Sequence, residues 1–226
     1  MGRQTEKSKL KQAKIKEERK KLNLASALVR KANEIIDPLE DFPSFISFKN
    51  EDVDVVLDCR RVKDLTEDEF EKVVDLMRLN MKDYYEKCDW GWDEEKKREE
   101  MLESPARYLL ARDRFDTTRI LAFSHFRFDL DYKQSVLYLY ELQLDPAVHR
   151  KKLGQFMLKA LELMAFKNSM QKVILTVLKH NHTALAFFSK HGYTLDETNP
   201  VDNYEEQFCY YIFSKSKSFK ENVVLQ

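Results

Sequence analysis

The spacing of apolar residues changes from helical to strand-like along the chain. Residues 5–36 contain no Pro or Gly, and their apolar side chains recur three and four positions apart, which predicts an amphipathic helix. These side chains are Leu22, Ala25, Leu28, Val29, Ala32 and Ile36. The lysine-rich residues before Leu22 include few apolar side chains, a composition typical of a disordered segment. "DPLEDFPSF" (37–45) then ends the helix with two prolines.

Strand patterns follow this break. "VDVVLDCRRV" (53–62) predicts a first strand, and residues 65–88 predict a helix whose Thr66 and Glu69 form a capping box. A tryptophan-bearing turn and a charged helical stretch come next. The runs at 107–113, 119–129 and 135–144 are strand-like and are joined by polar turns, which predicts an antiparallel meander.

The last third of the chain alternates helices and strands. Residues 153–169 predict a helix, and "KVILTVL" (172–178) is a β-branched run suited to a central strand that lies parallel to its neighbour. Asn181 opens a further helix that Gly192 ends, and strands at 193–194 and 208–215 close the sheet. The predicted fold is α/β, a mixed and mostly antiparallel sheet flanked by helices, with an N-terminal helical extension. The predicted division is 1–36 (basic arm and helix), 37–52 (linker), 53–216 (main domain) and 217–226 (tail).

Charge is divided unevenly although the formal net charge is zero. Residues 1–31 carry eleven Lys or Arg against three Glu, a balance of +8, so the remainder carries −8. An acidic body favours a cationic substrate or partner, while the basic arm suits a solvated tail, an import signal or a nucleic-acid contact.

The cysteines and the hydropathy favour a protein of a reducing compartment. Cys59, Cys88 and Cys209 are too few and too far apart to predict a disulfide framework or a zinc site. No apolar run reaches the length of a membrane span, and the first residues lack the apolar core of a signal peptide. His180 and His182 are two positions apart, whereas a helix needs a spacing of four to aim both at one ion, so no metal is expected.

One residue does not fit the strand "SVLYLYELQL" (135–144). Glu141 is a carboxylate among apolar neighbours, and its burial is costly unless it is paired, solvated or used in chemistry. A surface-facing glutamate on a half-exposed strand is the ordinary alternative. Tyr138 and Tyr140 have one parity along the strand and Glu141 has the other. A β-bulge, common near active sites, would let Tyr140 and Glu141 reach one cleft.

The loop "LDPAVHRKKLGQF" (144–156) places basic residues and a glycine directly before a helix, which favours an anion site. This loop and the helix that follows "KVILTVL" together resemble the acetyl-CoA core of the GNAT acetyltransferases. The family loop is Gln/Arg-x-x-Gly-x-Gly/Ala, and its positions fall here on His149, Arg150, Lys151, Lys152, Leu153 and Gly154. Lys152 replaces the first glycine, so a side chain is expected to crowd the phosphate or distort the turn.

The second part of the resemblance is the helix pattern Asn-x-x-Ala-x-x-Phe-(Tyr/Phe)-x-x-x-Gly. Its positions are Asn181, Ala184, Phe187, Phe188 and Gly192. Many members carry a tyrosine at the position of Phe188 as the acid for the departing thiol, and Phe188 cannot donate a proton.

The resemblance implies acetyl-CoA as co-substrate and a set of roles. Leu142, Gln143 and Leu144 would line the cofactor site with residues 149–154, Asn181 and Phe188. Glu141 would be the general base, and Tyr140 would position the substrate and take part in proton transfer.

"WGW" (90–92), "AFSHFRFD" (122–129), "LYLYELQL" (137–144) and "LTVLKHNH" (175–182) resemble more narrowly the branch that acetylates the N termini of core histones 4 and 2A. By this resemblance Asp129 receives the arginine of a Ser-Gly-Arg-Gly start. The peptide groove would be lined by Tyr85, Trp90, Tyr138, Tyr140 and Tyr210. The ordinary alternatives are a turn-starting aspartate, a loop-anchoring tryptophan and core packing of Tyr138.

The sequence thus predicts an N-terminal α-acetyltransferase of nucleus and cytoplasm, a monomer whose partners are the histone 4 and 2A tails. Neither a membrane nor a stable nucleic-acid partner is required. Two alternatives remain: an enzyme that acetylates lysine or polyamines, and a non-catalytic module whose basic arm binds nucleic acid.

Overall fold

A computed structural model describes residues 6–217. Residues 1–5 of the predicted arm and 218–226 of the predicted tail lie outside the described residues. The helices are α1 (Glu6–Glu34), α2 (Glu67–Glu86), α3 (Glu94–Leu102), α4 (Leu153–Lys167) and α5 (His182–Lys190). The strands are β1 (Ser47–Lys49), β2 (Asp54–Arg61), β3 (Arg107–Asp113), β4 (Ile120–Asp131), β5 (Gln134–Leu144), β6 (Lys172–Leu178), β7 (Thr194–Leu195) and β8 (Tyr210–Ser216).

The strands form one sheet in the order β1-β2-β3-β4-β5-β6-β8-β7. Every neighbouring pair is antiparallel except β5 and β6, which are parallel. This confirms the predicted α/β fold with its mixed, mostly antiparallel sheet and its N-terminal helix. The meander β2–β5 and the central strand β6 also lie where the apolar patterns predict them.

Two apolar clusters pack on opposite faces of the sheet. Helix α4 covers one face through Met157, Leu161 and Met164, and α1 joins it there through Ala32. Helix α2 covers the other face through residues such as Val73 and Met77. Both faces of the central strands are therefore buried, which is why their patterns are nearly continuous apolar runs.

Helix α2 begins at its predicted cap. The amide of Glu69 donates to Thr66 Oγ1 over 3.2 Å, and the amide of Thr66 donates to Glu69 Oε2 over 2.8 Å. This capping box satisfies two amides that the first turn leaves without partners, so it fixes where the helix starts.

The prediction of disorder before Leu22 is wrong, because α1 is helical from Glu6. The segment has no helix breaker, and good helix formers together with an exposed Glu17–Lys21 pair at 3.0 Å favour the helix even without packing. At its other end, Arg61 and Arg107 donate to main-chain carbonyls of residues 32–36. These guanidinium groups satisfy the carbonyls that a helix end leaves unpaired.

The predicted linker 37–52 contributes to the sheet. Ser47–Lys49 pairs with β2, and Asn50 turns the chain between the two strands by accepting the amides of Asp52 and Val53. The division of the chain into domains otherwise stays a prediction. Within residues 6–217, no helix has the length and apolarity needed to cross a bilayer.

Candidate active site

A β-bulge in β5 places Glu141 and Tyr140 on one side of the sheet. Across β4, His125 pairs with Glu141 and the next residue, Phe126, pairs with Leu139, so Tyr140 is an extra residue in β5. The insertion reverses the alternation at this point, and both side chains line the same cavity. The predicted bulge is confirmed.

The cavity lies where β5 and β6 part. The two strands pair only from Val136 to Leu139, against Lys172 to Leu175. Beyond Leu139 they diverge around a cavity of about 270 Å³. The predicted site residues on its wall are Tyr85, Trp90, Tyr138, Tyr140, Glu141, Leu142, Gln143, Asn181 and Phe188.

The open edge of β5 presents main-chain amides to this gap. The amide of Asp145 donates to Leu121 O of β4 over 2.8 Å, and alternate residues of a strand point to opposite neighbours. The amides of Leu142 and Leu144 therefore face the gap. In agreement, Leu144 O accepts bonds from Asn80 Nδ2 at 2.9 Å and from His149 Nε2 at 3.0 Å on that side.

Glu141 is buried, with 5% of its side chain exposed, and it is paired. Lys97 Nζ of α3 lies 2.7 Å from Glu141 Oε1, and Gln143 Nε2 donates to Glu141 Oε2 over 2.8 Å. The surface-facing alternative for this residue is therefore wrong. The cost of burying a carboxylate is offset by a cation and an amide donor, while the group still lines the cavity.

An aromatic wall, formed by Tyr85, Trp90, Tyr138, Tyr140 and Tyr210, faces Glu141. The ring of Trp90 lies 5.9 Å from that of Tyr85 and 5.2 Å from that of Tyr210. Tyr210 does not line the cavity itself. It belongs to the aromatic wall because its ring contacts Trp90. Tyr138 and Tyr140 stack 4.8 Å apart, and the hydroxyl of Tyr138 bonds Thr176 Oγ1 at 2.8 Å in the gap.

The phenols of Tyr85, Tyr138 and Tyr140 are protonated at neutral pH. Burial raises the pKa of Tyr85, and the negative charge of Glu141 adds to this effect. Burial also raises the pKa of Tyr138 and of Tyr140. The nearby positive charge of Arg127 partly offsets this rise for Tyr140. These hydroxyls can donate a proton or a hydrogen bond, but they are poor bases.

The loop before α4 contains two residues other than glycine with positive φ. Lys152 immediately precedes α4 with φ of 68°, and Arg150 has φ of 59°. Both lie in the left-handed region, where a side chain costs on the order of 1 kcal/mol. Asn50 Nδ2 donates to Lys151 O over 2.8 Å and helps to hold the loop. The expectation that Lys152 crowds the phosphate or distorts the turn stays a prediction. A Cβ on Gly154 would lie 3.5 Å from Leu144, an ordinary contact.

Asp129 lies apart from the cavity lining, on β4, where its Oδ1 accepts the amide of Leu130 over 2.7 Å. By strand alternation it shares a face with Arg127 and Asp131. Asp131 Oδ2 is buried and has no hydrogen-bond partner among residues 6–217, and burial raises the pKa of this carboxyl. No local pattern in the sequence singles out Asp131.

Comparison with known proteins places this geometry in a family. The model of the acetyltransferase (GNAT) family matches residues 73–193, more than half of the chain. The chain belongs to the GNAT acetyltransferase family.

Solved GNAT structures share its fold. The paiA N-acetyltransferase of Thermoplasma acidophilum, solved with coenzyme A, is 18% identical, covers 71% of this chain and 99% of its own, and has a TM-score of 0.50. A GNAT acetyltransferase of Staphylococcus aureus Mu50 is 13% identical over 71% and 99%, with a TM-score of 0.53. The ribosomal-protein-S18-alanine N-acetyltransferase of Escherichia coli is 15% identical over 71% and 94%, with a TM-score of 0.50.

GNAT enzymes use acetyl-CoA, so this chain is an acetyl-CoA-dependent acetyltransferase. The residues present fit that co-substrate. The amide of Leu142 faces the gap between β5 and β6, where a thioester oxygen needs a donor. The first amides of α4, at residues 153–155, have no acceptor within the helix and suit a pyrophosphate.

Two predicted cofactor residues have a structural role besides their place at the cavity. Asn181 Oδ1 accepts the amide of Ala184 over 3.0 Å and caps α5. Phe188 is 8% exposed and packs in the core beside Tyr193. Neither role conflicts with lining a GNAT cofactor site.

Sequence reasoning missed the cationic side of the site. Lys97 and Glu100 of α3 line the cavity, yet their segment "DEEKKREEML" is typical of a solvated helix. Thr176, the partner of Tyr138, was missed as well. Within residues 6–217, no three His, Cys, Asp or Glu side chains are grouped to hold a metal ion, and His180 Nε2 instead lies 2.9 Å from Tyr84 O.

Proposed function

We propose that this GNAT enzyme is an N-terminal α-acetyltransferase of the NatD type, which transfers acetyl from acetyl-CoA to the free α-amine of core histones 4 and 2A. The observation that carries this proposal is Glu141, a buried carboxylate that lies next to a bulge and lines the open gap between β5 and β6. Acyl transfer to an amine needs a base beside the thioester, and Glu141 is adjacent to the Leu142 amide.

The acceptor's acidity favours an α-amine over a lysine. An α-ammonium loses its proton at a pKa of about 7.7–8.0, against about 10.4 for lysine. The difference corresponds to about 3.5 kcal/mol, which a carboxylate base would have to supply in addition if lysine were the acceptor. Glu141 is therefore better matched to an α-amine.

The remaining chemistry is assigned to groups on the same wall. The Leu142 amide stabilises the charge that develops on the thioester oxygen. Phe188 cannot protonate the departing thiolate, so we assign that proton to a phenol of the wall, with Tyr140 as the first candidate and Tyr138 as the second. Their raised pKa values keep both protonated.

The substrate's identity rests on charge and on the sequence resemblance. Asp129 and Asp131 share a face of β4 and are candidates to receive an arginine at the third position of a Ser-Gly-Arg-Gly peptide. Trp90 and Tyr210 would bracket the peptide. The E. coli neighbour is named for an alanine of ribosomal protein S18, so one enzyme of this fold carries the name of a protein substrate.

The proposal includes a cellular setting. The enzyme acts as a monomer in nucleus and cytoplasm, with histone tails as its partners and with neither a membrane nor a stable nucleic-acid partner. The +8 balance of residues 1–31 is then a solvated arm or an import signal.

Acetyl transfer to three peptides tests the proposal. The first begins Ser-Gly-Arg-Gly with a free amine, the second has that amine blocked, and the third carries alanine in place of the arginine. We expect transfer to the first, none to the second, weaker transfer to the third, and a loss of about 10²–10⁴-fold in the Glu141→Gln variant.

Other outcomes point to the rivals. Equal transfer to the blocked peptide would make lysine the acceptor and contradict the proposal. Transfer to none of them, together with a strongly salt-dependent affinity for RNA, would favour the non-catalytic module.

A further inference from the structure

Lys97 is the cation that contacts the proposed base. Its side chain projects from α3 with 11% exposed, and its Nζ lies 2.7 Å from Glu141 Oε1 and 2.7 Å from Glu100 Oε1. The same nitrogen lies 5.7 Å from the centre of the Tyr85 ring. One ammonium is thus shared by two carboxylates and an aromatic face at the wall of the cavity.

This ammonium stays charged at neutral pH. Burial by itself would lower the pKa of Lys97, but Glu141, Tyr85 and Glu100 together outweigh burial and raise it. The ring of His125, which pairs with Glu141 across β4, adds no positive charge beside the base. Burial, with help from Arg127 and Lys97, lowers the pKa of His125 well below its usual value, so that its ring is neutral.

The groups around Glu141 come from five elements. They are Tyr85 of α2, Lys97 and Glu100 of α3, Tyr108 of β3, His125 of β4, and Tyr140 and Gln143 of β5. A second cation, Arg127 of β4, lies behind them, 3.5 Å from His125 Nε2 and over the Tyr140 ring. Lys97 is the cation in direct contact with the carboxylate, so the largest effect of positive charge on the base arises from this residue.

We propose that Lys97 is a positioning residue for acetyl transfer, whose ammonium keeps Glu141 ionised and turned into the cavity and disfavours a second ammonium beside it. The acceptor is then bound as its neutral amine, the form that attacks a thioester. This inference rests on the proposed function for the role of Glu141 as base.

Both effects have the same sign on the pH dependence. Without Lys97, burial favours the neutral, non-basic form of the Glu141 carboxyl. Without Lys97, the bound acceptor also loses a like charge that favours its neutral form. Because kcat/KM reports the ionisation of the free enzyme and kcat that of the bound complex, removing the charge should move the acid limb of kcat/KM through the first effect and the acid limb of kcat through the second, each to higher pH. Both limbs should stay in place when the charge is kept.

The kinetic test compares Lys97→Met and Lys97→Arg with Lys96→Met, the neighbouring exposed lysine of α3. For the acceptor peptide Ser-Gly-Arg-Gly, we expect Lys97→Met to lose about tenfold or more in kcat/KM at pH 7 and to recover most of it as the pH rises. Lys97→Arg should retain the wild-type acid limb, and Lys96→Met should match wild type throughout.

A loss in Lys97→Met that is the same at every pH would mean that Lys97 only supports the fold, and would overturn the inference. A gain in kcat/KM would overturn it too, because Lys97 would then be a competitor of the substrate for Glu141. Circular dichroism of each variant checks that the comparison is made between folded proteins.

A second measurement needs no acceptor. In protein carrying ¹³C-labelled glutamate, the carboxyl resonance of Glu141 is assigned by its disappearance in Glu141→Gln and is followed against pH. We expect it to titrate at higher pH in Lys97→Met than in wild type, with Lys97→Arg unchanged. If wild type acetylates no histone peptide, the proposed function fails, but this titration still decides the role of Lys97. A Glu141 titration that is identical in wild type and in all Lys97 variants would overturn that role.

Discussion

The two halves of β5 differ in what lies beside them. From Val136 to Leu139 the strand pairs with β6, and Leu137 and Leu139 are buried in the core. From Tyr140 to Leu144 no strand within residues 6–217 pairs with it on that side, and its residues line or border a cavity. The inserted Tyr140 separates the two halves. A single extra residue thus converts a packed sheet into a site, with no change in the faces that the other side chains occupy.

The largest effect should come from deleting Tyr140. The deletion restores a regular strand in which Glu141 keeps its face and its partner His125, so the protein should remain folded. Because the bend is lost, β5 should continue its pairing with β6 and close the gap. We expect no measurable transfer and acetyl-CoA binding weakened about 100-fold or more, or about 2.7 kcal/mol.

Calorimetric titration with acetyl-CoA measures this affinity. The substitution Tyr140→Ala, which keeps the bulge, is the matched control and should still bind. Unchanged affinity in the deletion variant would show that the gap does not depend on the inserted residue.

Truncating one leucine in each half should show that the paired half contributes more to the free energy of unfolding than the open half. Leu139→Ala removes a side chain that is 2% exposed and should lower the free energy of unfolding by about 2–5 kcal/mol. Leu142→Ala, in the open half, should cost roughly half of that, because Leu142 is only half-buried. Urea denaturation measures both, and equal costs would contradict the division of the strand.

Acid should weaken the paired half through a buried ion pair at the start of β6. Lys172 Nζ lies 2.7 Å from Asp196 Oδ2, and each side chain is at most 5% exposed. Burial would raise the pKa of Asp196, but hydrogen bonds from Lys172, Ser214 and Thr198 lower it to about 2. A depressed carboxyl pKa stabilises the fold above the unfolded value and loses that contribution as the pH falls through the folded value.

The free energy of unfolding should therefore decline between pH about 4 and pH about 2, by about 2 kcal/mol from this pair. Urea denaturation at a series of pH values measures the decline. In Asp196→Asn this part of the slope should vanish, and a slope that persists unchanged in the variant would assign it to other carboxyls.

The smallest effect should follow from restoring the family's glycine at position 152. Lys152 has φ of 68°, so Lys152→Gly relieves backbone strain and should raise the free energy of unfolding by about 1 kcal/mol or less. Acetyl-CoA affinity should fall slightly if the lysine's charge assists the pyrophosphate. Lys151→Gly, beside it, is the control and should not stabilise, because its backbone is not left-handed.

Much of this architecture is predictable from local patterns. The capping box at Thr66, the β-branched run of β6 and the misplaced Glu141 are each encoded within a few residues. The bulge follows from local parity once Tyr140 and Glu141 are both assigned to one cleft by the family resemblance. What these features have in common is that no distant partner is needed to recognise them.

The rest depends on contacts between distant segments. Lys97 is separated from Glu141 by more than forty residues, and its own neighbours are charged, so nothing local distinguishes it from the exposed Lys96. Asp131 is noticeable only once its buried oxygen is seen to lack a partner. The helical start of α1 differs, because a local property decides it. Its few apolar residues predict disorder, but its helix propensity is sufficient to form the helix from Glu6.

The aromatic wall also supplies an optical signal. The chain has two tryptophans, Trp90 and Trp92, and each lies within 6 Å of the Tyr85 ring, with Trp90 46% exposed at the cavity. All indole fluorescence of the protein therefore originates beside the proposed peptide groove. A peptide that covers Trp90 should shift its emission to shorter wavelength, so unlabelled protein reports acceptor binding in real time, apart from turnover.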